Sequence, residues 1–378
     1  MNGYLGGNIV DTPIRVLCLF TILNRGGAET MCMNLYRNID RSLVQFDFLV
    51  YYQQKGDYED EIEKLGGHVY RIPHLKNISA HIKGARNFFK EHKEYSIVHN
   101  HMQSNGCFIC REANKAGVKT IIYHSHAAPR PLITKDPSLT ARRIRNHLLN
   151  KISLQNSNEF FACGESAAKA LPEGKEKIIL YNAINLDAFK FNPAIRKKIR
   201  EANNVKDKLI IGNVARFDWN KNQRFAIEVF RELLKKKENV ELWLIGDGEM
   251  KQDIEKLVHD LDLEGKVILF GVRTDVNELL QAMDIYLFPS IAEGLSVACI
   301  EAQAAGLPCI FSDGFDPHTA ITDHCKIMSL SESPKAWADA IIGLNSFNRE
   351  DESGKIRKAG YDIKDTSEYI KNYYLSRT

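Results

Sequence analysis

The sequence predicts an α/β protein with two doubly wound parallel sheets, and three observations support this prediction. The chain has 378 residues, which at roughly 100–200 residues per domain corresponds to two or three domains. Hydrophobic residues make up 44% and charged residues 26% of the sequence, close to the averages of globular proteins. Short apolar runs alternate with longer amphipathic stretches along nearly the whole chain, which is typical of βαβ units.

Six apolar runs predict the strands of a first sheet, and five more predict a second. They are residues 15–20, 46–51, 68–71, 97–101, 120–124 and 160–163, then 209–214, 241–245, 267–270, 285–288 and 308–312. A helix is predicted over 222–237 because Phe225, Val229 and Leu233 recur at helical spacing. Residues 185–208 are polar and carry no strand pattern, so we place the domain junction there.

Charge balance, the length of the apolar runs and the cysteine content exclude several classes of protein. Lys plus Arg number 51 against 48 Asp plus Glu, so no broad basic surface for nucleic acid is expected. The apolar runs fall short of the ~20 residues that cross a bilayer, and no basic leader with a cleavage site precedes the first strand. Eight cysteines lie among apolar or strand-like residues, which suits reduced thiols. We therefore expect a cytoplasmic protein that has no disulfides and does not bind nucleic acid.

A glycine pair, Gly26 and Gly27, follows the first predicted strand and opens a helical pattern. Backbone N–H groups at a helix start attract anions, and the helix dipole adds to this attraction. Open α/β sheets bind ligands at the carboxyl ends of their strands. The pair is therefore a candidate phosphate contact, and the alternative is a tight turn whose glycines need positive φ.

The second sheet offers basic groups at the same kind of position. Arg216 and Lys221 follow its first strand, where a guanidinium and an ammonium can stabilise a departing diphosphate. The alternative is a solvated basic helix start. Gly246 and Gly248 follow the next strand and resemble the start of the fingerprint G-x-G-x-x-G, but Lys251 replaces its third glycine. This mismatch argues against NAD and favours a turn beside another nucleotide.

The most specific motif places two carboxylates, Glu293 and Glu301, at E-x7-E spacing after the fourth strand of the second sheet. Glu293 falls in the strand-to-helix loop and Glu301 more than one turn inside the helix, so they face different parts of a long ligand. The N–H groups of Gly294, Leu295 and Ser296 at the helix start suit phosphate oxygens. This combination predicts a nucleotide sugar as ligand, and the alternative is an ordinary helix start with an acidic residue.

Together these motifs resemble family four of the retaining glycosyltransferases, which have the GT-B fold. The resemblance covers the chain from about residue 14 to 320, and within the family it is strongest to transferases of capsular and extracellular polysaccharide assembly. It implies two Rossmann-like domains facing across a cleft: residues 1–190 on the acceptor side and 191–360 on the nucleotide-sugar side. The segment 361–378 resembles the helix that crosses back to the N-terminal domain.

The resemblance also implies roles for individual residues. Arg216 and Lys221 hold the donor diphosphate, Glu301 accepts hydrogen bonds from the ribose hydroxyls, and Glu293 contacts the donor sugar near the reacting carbon. Gly27 approaches the diphosphate or the sugar from the other domain. The remaining donor contacts are Gly26, Gly246, Gly248, Gly294, Leu295 and Ser296. Members of the family need neither a divalent metal nor a cofactor, and this sequence has no D-x-D block at a strand end.

Two His-x-His pairs end consecutive predicted strands of the first sheet, His99 with His101 and His124 with His126. Converging imidazoles can bind zinc, but the sequence places no acid or cysteine convincingly to complete a tetrahedral set. A metal site is therefore the weaker interpretation. The resemblance assigns His126 to hydrogen bonding with the donor sugar, with His124 as the alternate or as a core residue.

Residues 130–152 form a basic amphipathic segment. Ala141, Ile144 and Leu148 fall on one side of a predicted helix, although Arg145 interrupts this side. Such a helix can lie on an anionic membrane surface, here the inner face of the plasma membrane. The alternative is a surface helix of the first domain.

The function predicted from these features is retaining transfer of a sugar from a UDP-linked donor to a glycan or lipid-linked acceptor in cell-surface polysaccharide synthesis. Two alternatives stay open at this point. One is a nucleotide-sugar epimerase or hydrolase of the same fold, and the other is a non-catalytic protein that binds nucleotide sugars.

Overall fold

A computed structural model describes residues 12–127, 129, 132–133, 136–293, 296–344 and 347–378. Its contacts divide the chain into two compact units. The first unit comprises the residues up to Ala183 together with Ile363–Thr378, and the second comprises Ile184–Asp362. The chain therefore changes units directly before the polar segment in which the sequence places the junction.

The first unit contains a sheet of seven parallel strands in the order β3-β2-β1-β4-β5-β6-β7. The strands are β1 Ile14–Leu19, β2 Val44–Val50, β3 Val69–Arg71, β4 Ile97–Asn100, β5 Thr120–Ser125, β6 Glu159–Ala162 and β7 Ile178–Ile179. The helices between them are α1 Gly27–Asn38, α2 Glu59–Lys64, α3 Ile78–Glu91, α4 Cys107–Lys115, α5 Pro137–Gln155 and α6 Glu165–Ala168.

The second unit contains a sheet of six parallel strands in the order β10-β9-β8-β11-β12-β13. The strands are β8 Leu209–Val214, β9 Val240–Ile245, β10 Val267–Gly271, β11 Ile285–Phe288, β12 Cys309–Ser312 and β13 Cys325–Met328. The helices are α7 Leu186–Phe189, α8 Pro193–Ala202, α9 Gln223–Leu234, α10 Lys251–Asp260, α11 Val276–Ala282, α12 Val297–Ala304, α13 Pro334–Leu344 and α14 Ser353–Lys358.

Helices cover both faces of each sheet because side chains alternate along every strand. In β1, Val16 and Cys18 pack with residues of α1, whereas Leu17 and Leu19 pack with residues of α3 and α4. The second sheet is likewise covered by α9, α10 and α13 on one face and by α8, α11 and α12 on the other. Since the faces are closed, the strand ends are where polar side chains can gather.

The terminal helix α15, Ile363–Leu375, belongs to the first unit and packs against α1, β1 and β2. Its Tyr374 is buried and meets the Phe46 ring edge-on, with the ring centroids 5.9 Å apart. The Tyr374 hydroxyl also lies 2.6 Å from His99 Nδ1. This helix therefore closes the α1 face of the first sheet.

The predicted two-sheet fold class is confirmed, and all eleven predicted strands are present with ends that differ from the prediction by at most two residues. The sequence missed β7 and β13, which are both edge strands. Edge strands bury less surface, so their apolar pattern is weak: two of the four residues of β13 are exposed. Within the described residues, no helix combines the length and the apolar character needed to span a membrane.

Candidate active site

Two loops of the second unit are joined at the carboxyl edge of its sheet. One follows β8 and the other follows β11, and these strands are neighbours in the sheet. Asn220 connects the loops with both ends of its side chain: Nδ2 donates to the Ala292 carbonyl at 2.6 Å, and Oδ1 accepts from the Ala292 N–H at 3.2 Å. The Ile291 N–H also donates to the Asn220 carbonyl at 2.7 Å. Each loop therefore fixes the position of the other.

Local capping shapes the first of these loops. The Asp218 carboxylate accepts hydrogen bonds from the N–H groups of Asn220 and Lys221 at 3.0 and 3.1 Å, which forms a short 3₁₀ turn over Trp219–Lys221. Asn222 then adopts the left-handed conformation, with φ of 55°, before α9 begins. Asparagine tolerates this conformation better than most residues. The turn orients Lys221 toward the second loop.

Lys221 and Glu293 form an ion pair between Nζ and Oε2. The pair is well shielded from water, with the two side chains 18% and 16% exposed. Ser290 Oγ lies 3.2 Å from the same carboxylate oxygen, and Lys221 Nζ lies 5.5 Å from the centroid of the Phe288 ring. The sequence suggested separate roles for the two charges, whereas the folded chain places them in direct contact.

Arg216 lies two residues after the end of β8 and is exposed. Its carbonyl accepts a hydrogen bond from Gln223 Nε2 at 3.1 Å, which anchors the backbone. Within the described part of the chain, its guanidinium has no carboxylate partner. Arg216 is therefore the cation of this loop that is available to an external anion.

Gly246 and Gly248 allow the turn after β9 to pack against the same loop. Gly246 has φ of +141°, and a Cβ atom there would lie 1.9 Å from the Ala215 carbonyl oxygen. A Cβ on Gly248 would lie 2.2 Å from the Phe217 carbonyl oxygen. Phe217 N–H donates to the Asp247 carbonyl at 2.9 Å. The two glycines are thus needed for close packing of this turn.

Glu301 lies on α12 and is partly buried. Burial raises the pKa of its carboxyl to about 8. Ser296 is the buried residue at the N-cap of the same helix. The predicted contacts Gly294 and Leu295 lie outside the described residues.

In the first unit, Gly26 is the N-cap of α1 and Gly27 its first residue. Gly26 has φ of −99°, and Gly27 is not among the glycines with positive φ. The alternative explanation of the pair, a turn that needs positive φ, is therefore wrong. A Cβ atom on Gly27 would meet no described heavy atom within 4 Å. Packing within the described chain therefore does not require glycine at this position.

His126 follows β5 and is partly exposed. Its Nε2 lies 3.0 Å from His101 Nδ1, and its ring stacks on His124 with centroids 4.2 Å apart. Burial lowers the pKa of His126 to about 4. The ring is therefore neutral at pH 7 and held by two other imidazoles.

Sequence reasoning missed two features of these sites. Asn220 carried no signal because a single asparagine in a loop is common. Cys18 and Cys32 were not placed near the histidines, yet both have a sulfur close to a ring nitrogen of His101. The helix register that brings Cys32 to β1 depends on tertiary packing.

Comparison with known proteins assigns the class. Residues 195–362 match the family model for glycosyl transferases of group 1. EpsF of Bacillus subtilis, which carries a glycosyltransferase name, is 34% identical over 372 residues, or 95% of this chain and 96% of that protein. The chain belongs to this glycosyltransferase family and is a glycosyltransferase.

Further relatives have more specific names. CapH of Staphylococcus aureus, a capsular polysaccharide biosynthesis glycosyltransferase, is 25% identical over 97% of this chain and 99% of its own. An Escherichia coli UDP-Gal:α-D-GlcNAc-diphosphoundecaprenol α-1,3-galactosyltransferase is 27% identical over 71% of this chain and 72% of its own. The fold is shared with Anabaena HepE, solved in complex with UDP, with a TM-score of 0.77 at 16% identity over 96% and 100% of the chains. This likeness supports the GT-B fold class.

Two glycine substitutions separate a ligand contact from a packing requirement. Gly27→Ala should leave stability unchanged or slightly higher, because alanine favours a helix by up to about 1 kcal/mol, but should lower glycosyl transfer if a ligand approaches this backbone. Gly246→Ala should lower the free energy of unfolding by about 2 kcal/mol or more because of its clash and its φ. Thermal unfolding and transfer assays test both. Full transfer by Gly27→Ala would exclude a close ligand approach there.

Stability should fall with rising pH because of Glu301. In the folded protein the Glu301 carboxyl keeps its proton up to about pH 8, whereas in the unfolded chain it releases the proton near the ordinary pKa of 4.5. The stabilisation is thus complete below pH 4.5 and is lost as the pH rises toward 8. Glu301→Gln keeps a neutral side chain, so its Tm should exceed that of wild type by several degrees at pH 8.5 and by little at pH 5.

Tm measurements from pH 5 to 8.5 check this difference. The exposed Glu255→Gln on α10 is the matched control, and its Tm should run parallel to that of wild type. A constant difference between Glu301→Gln and wild type across the range would contradict the assignment.

Proposed function

We propose that this glycosyltransferase moves a sugar, with retention of anomeric configuration, from a UDP-linked donor to a hydroxyl of a lipid-linked glycan in cell-surface polysaccharide synthesis. The names of the Staphylococcus aureus and Escherichia coli relatives support the pathway class, the UDP donor and the diphosphoundecaprenol-linked acceptor. The observation that carries the proposal is the shielded ion pair between Lys221 and Glu293, which joins the loop after β11 to the loop after β8 that also presents the exposed Arg216.

In this proposal the donor diphosphate binds at the carboxyl edge of the second sheet. Arg216 has the planar donor geometry that binds phosphate oxygens in pairs. Lys221 contributes positive charge to the same loop and also orients Glu293. As the glycosidic bond breaks, negative charge grows on the departing nucleotide, and fixed cations stabilise that charge more strongly than the ground state.

Glu293 is held in place by Lys221 and Ser290, so its carboxylate can contact the donor sugar with little reorganisation. We assign Glu301 as the residue that accepts hydrogen bonds from the ribose hydroxyls of the donor. Retention is explained by departure of the nucleotide from the same face that the acceptor attacks. In that step the acceptor hydroxyl forms the new glycosidic bond, and its proton passes to an oxygen of the departing phosphate.

In the first unit we assign Gly27 and His126 as further ligand-binding residues. A Cβ atom on Gly27 would meet no described heavy atom within 4 Å, so a ligand can approach its backbone. His126 is neutral at pH 7 and can exchange hydrogen bonds with sugar hydroxyls. Cationic side chains and helix starts do the work of a divalent metal in this proposal, so turnover should be the same with and without added Mg²⁺ or Mn²⁺.

The helix α5 is the proposed contact with an anionic membrane on the cytoplasmic side. Ile144 and Leu148 are 45% and 56% exposed within the chain. Arg142 and Arg145 lie on the same exposed stretch. The part of segment 130–152 that the structure describes is thus apolar and basic at its surface, as an interfacial helix needs to be.

Replacing the exposed arginine tests the diphosphate site. Arg216→Ala should lower kcat by about 100-fold or more, because it removes a charge that acts on the leaving group, and should leave Tm nearly unchanged because the side chain is exposed. UDP-sugar donors for the assay can be selected by thermal shift, since a ligand at 100 times its Kd adds about 2.7 kcal/mol of stability.

Arg231→Ala, on the exposed end of α9 in the same unit, is the matched control and should keep normal turnover. Near-normal transfer by Arg216→Ala would refute the diphosphate assignment. Product from donor alone at the rate seen with acceptor would instead identify a hydrolase or epimerase.

Charge reversal on α5 tests the membrane contact. The Arg142→Glu/Arg145→Glu variant should bind anionic vesicles about 10-fold more weakly or worse than wild type at low salt, since each basic group near the surface contributes about 1 kcal/mol. Sedimentation with vesicles of phosphatidylglycerol and phosphatidylcholine measures this binding. Arg231→Glu/Lys235→Glu, at two exposed positions at the end of α9, is the control with the same net charge. Equal loss in both variants, or no binding by wild type, would contradict the proposal.

A further inference from the structure

Imidazole and thiol groups gather on one face of the first sheet, beneath α1. Side chains two residues apart on a strand share a face, so the His-x-His pairs stack ring on ring, with centroids 4.1 Å apart for His99 and His101. Cys18 of β1 is the register partner of His99. Cys32 of α1 packs on the same face. These four side chains are at most 6% exposed.

Two overlapping sets of these groups have ligand atoms within 4.8 Å of one another. One set is Cys18, Cys32 and His101, and the other is His99, His101 and His124. Charge distinguishes them, because an unneutralised dication is costly to bury. Two thiolates cancel the charge of a divalent ion, whereas three neutral imidazoles leave it uncompensated. In addition, both nitrogens of His99 already have partners, Tyr374 and His124.

His101 has the features of a metal-binding histidine. Its Nδ1 lies 3.0 Å from His126 Nε2, and the Phe20 ring stacks on it with centroids 4.8 Å apart. Its Nε2 is buried and, within the described part of the chain, has no hydrogen-bond partner. A ligating histidine commonly has one ring nitrogen held by an outer group and the other directed at the metal. A buried nitrogen without a partner is otherwise uncommon.

We propose that Cys18, Cys32 and His101 bind a thiophilic divalent transition metal ion of the zinc class. On binding, each thiol releases its proton to solvent and each sulfur donates an electron pair to the ion, as does the unpaired nitrogen of His101. The centre is then formally neutral, which suits its burial. Bond lengths of about 2.3 Å to sulfur and 2.0 Å to nitrogen require ligand atoms roughly 3.6 Å apart, so the set must contract from its present spread of up to 4.8 Å.

The fourth position of a tetrahedral site can hold water. His124 Nε2 is also buried without a partner in the described chain, and its ring lies 5.2 Å from that of His101, so it can accept a hydrogen bond from such a water. The ion would connect β1, α1 and His101, the residue that follows β4. We assign it a structural role, because its ligands come from separate elements of the first unit, which a shared ion would hold together.

The test uses the full-length, untagged protein, reduced and freed of metal, titrated with Co²⁺ and then Zn²⁺. We expect one equivalent of Co²⁺ to produce a sulfur-to-cobalt charge-transfer band, which Zn²⁺ abolishes, and a higher Tm with either ion. Cys18→Ala and Cys32→Ala should each lose the band and bind at least about 100-fold more weakly, since even outer-shell changes cost 10–100-fold. Cys107→Ala removes an equally buried thiol of the same unit and should behave as wild type.

Three results would overturn the site. The first is the absence of a charge-transfer band in folded wild-type protein, and the second is a band that survives in Cys32→Ala. The third is a disulfide between Cys18 and Cys32, detected by mass spectrometry under the same reducing conditions. If either variant fails to fold, X-ray absorption of the Co²⁺-loaded wild type decides. A spectrum with two sulfur ligands supports the site, and a spectrum without a sulfur ligand refutes it. Loss of metal binding with normal transfer activity leaves the proposed function standing, so the two proposals fail separately.

Discussion

Burial of both faces of each parallel sheet is the constraint on which the rest of this structure depends. Helices cover the two faces, and most residues of the strands between them are apolar. Polar and charged groups can therefore collect mainly at the strand ends, where loops replace the helical cover. The basic loop after β8 and the histidines after β4 and β5 all lie at such ends.

The second sheet shows how this edge becomes a rigid site. Neighbouring strands bring two loops together, and the side chain of Asn220 joins them by paired hydrogen bonds. The joined loops then hold Lys221 against Glu293 with little exposure to water. In such surroundings a charge is screened less by salt and is positioned before a ligand arrives. Arg216, outside this pair, keeps its charge for an external partner.

The first sheet uses the same edge for groups that are neutral. Burial lowers the pKa of His99 to about 3 and that of His126 to about 4, so both rings are uncharged at pH 7. Uncharged rings can stack and hydrogen-bond inside an apolar layer without a counter-ion. The proposed metal site follows from the same condition, because two thiolates make a bound dication neutral.

The sequence by itself determined the class of fold, nearly all of its strands and the motifs to which we assign the donor. These features are local: alternating apolar patterns, glycine turns and short charged motifs are visible within a few residues. Only the tertiary structure decided that Lys221 pairs with Glu293, 72 residues away, and that Cys32 reaches Cys18 and His101. It also showed that Gly246 is required by packing while Gly27 is not. Such contacts depend on strand order and helix register, which the packing of the whole sheet sets and no short segment encodes.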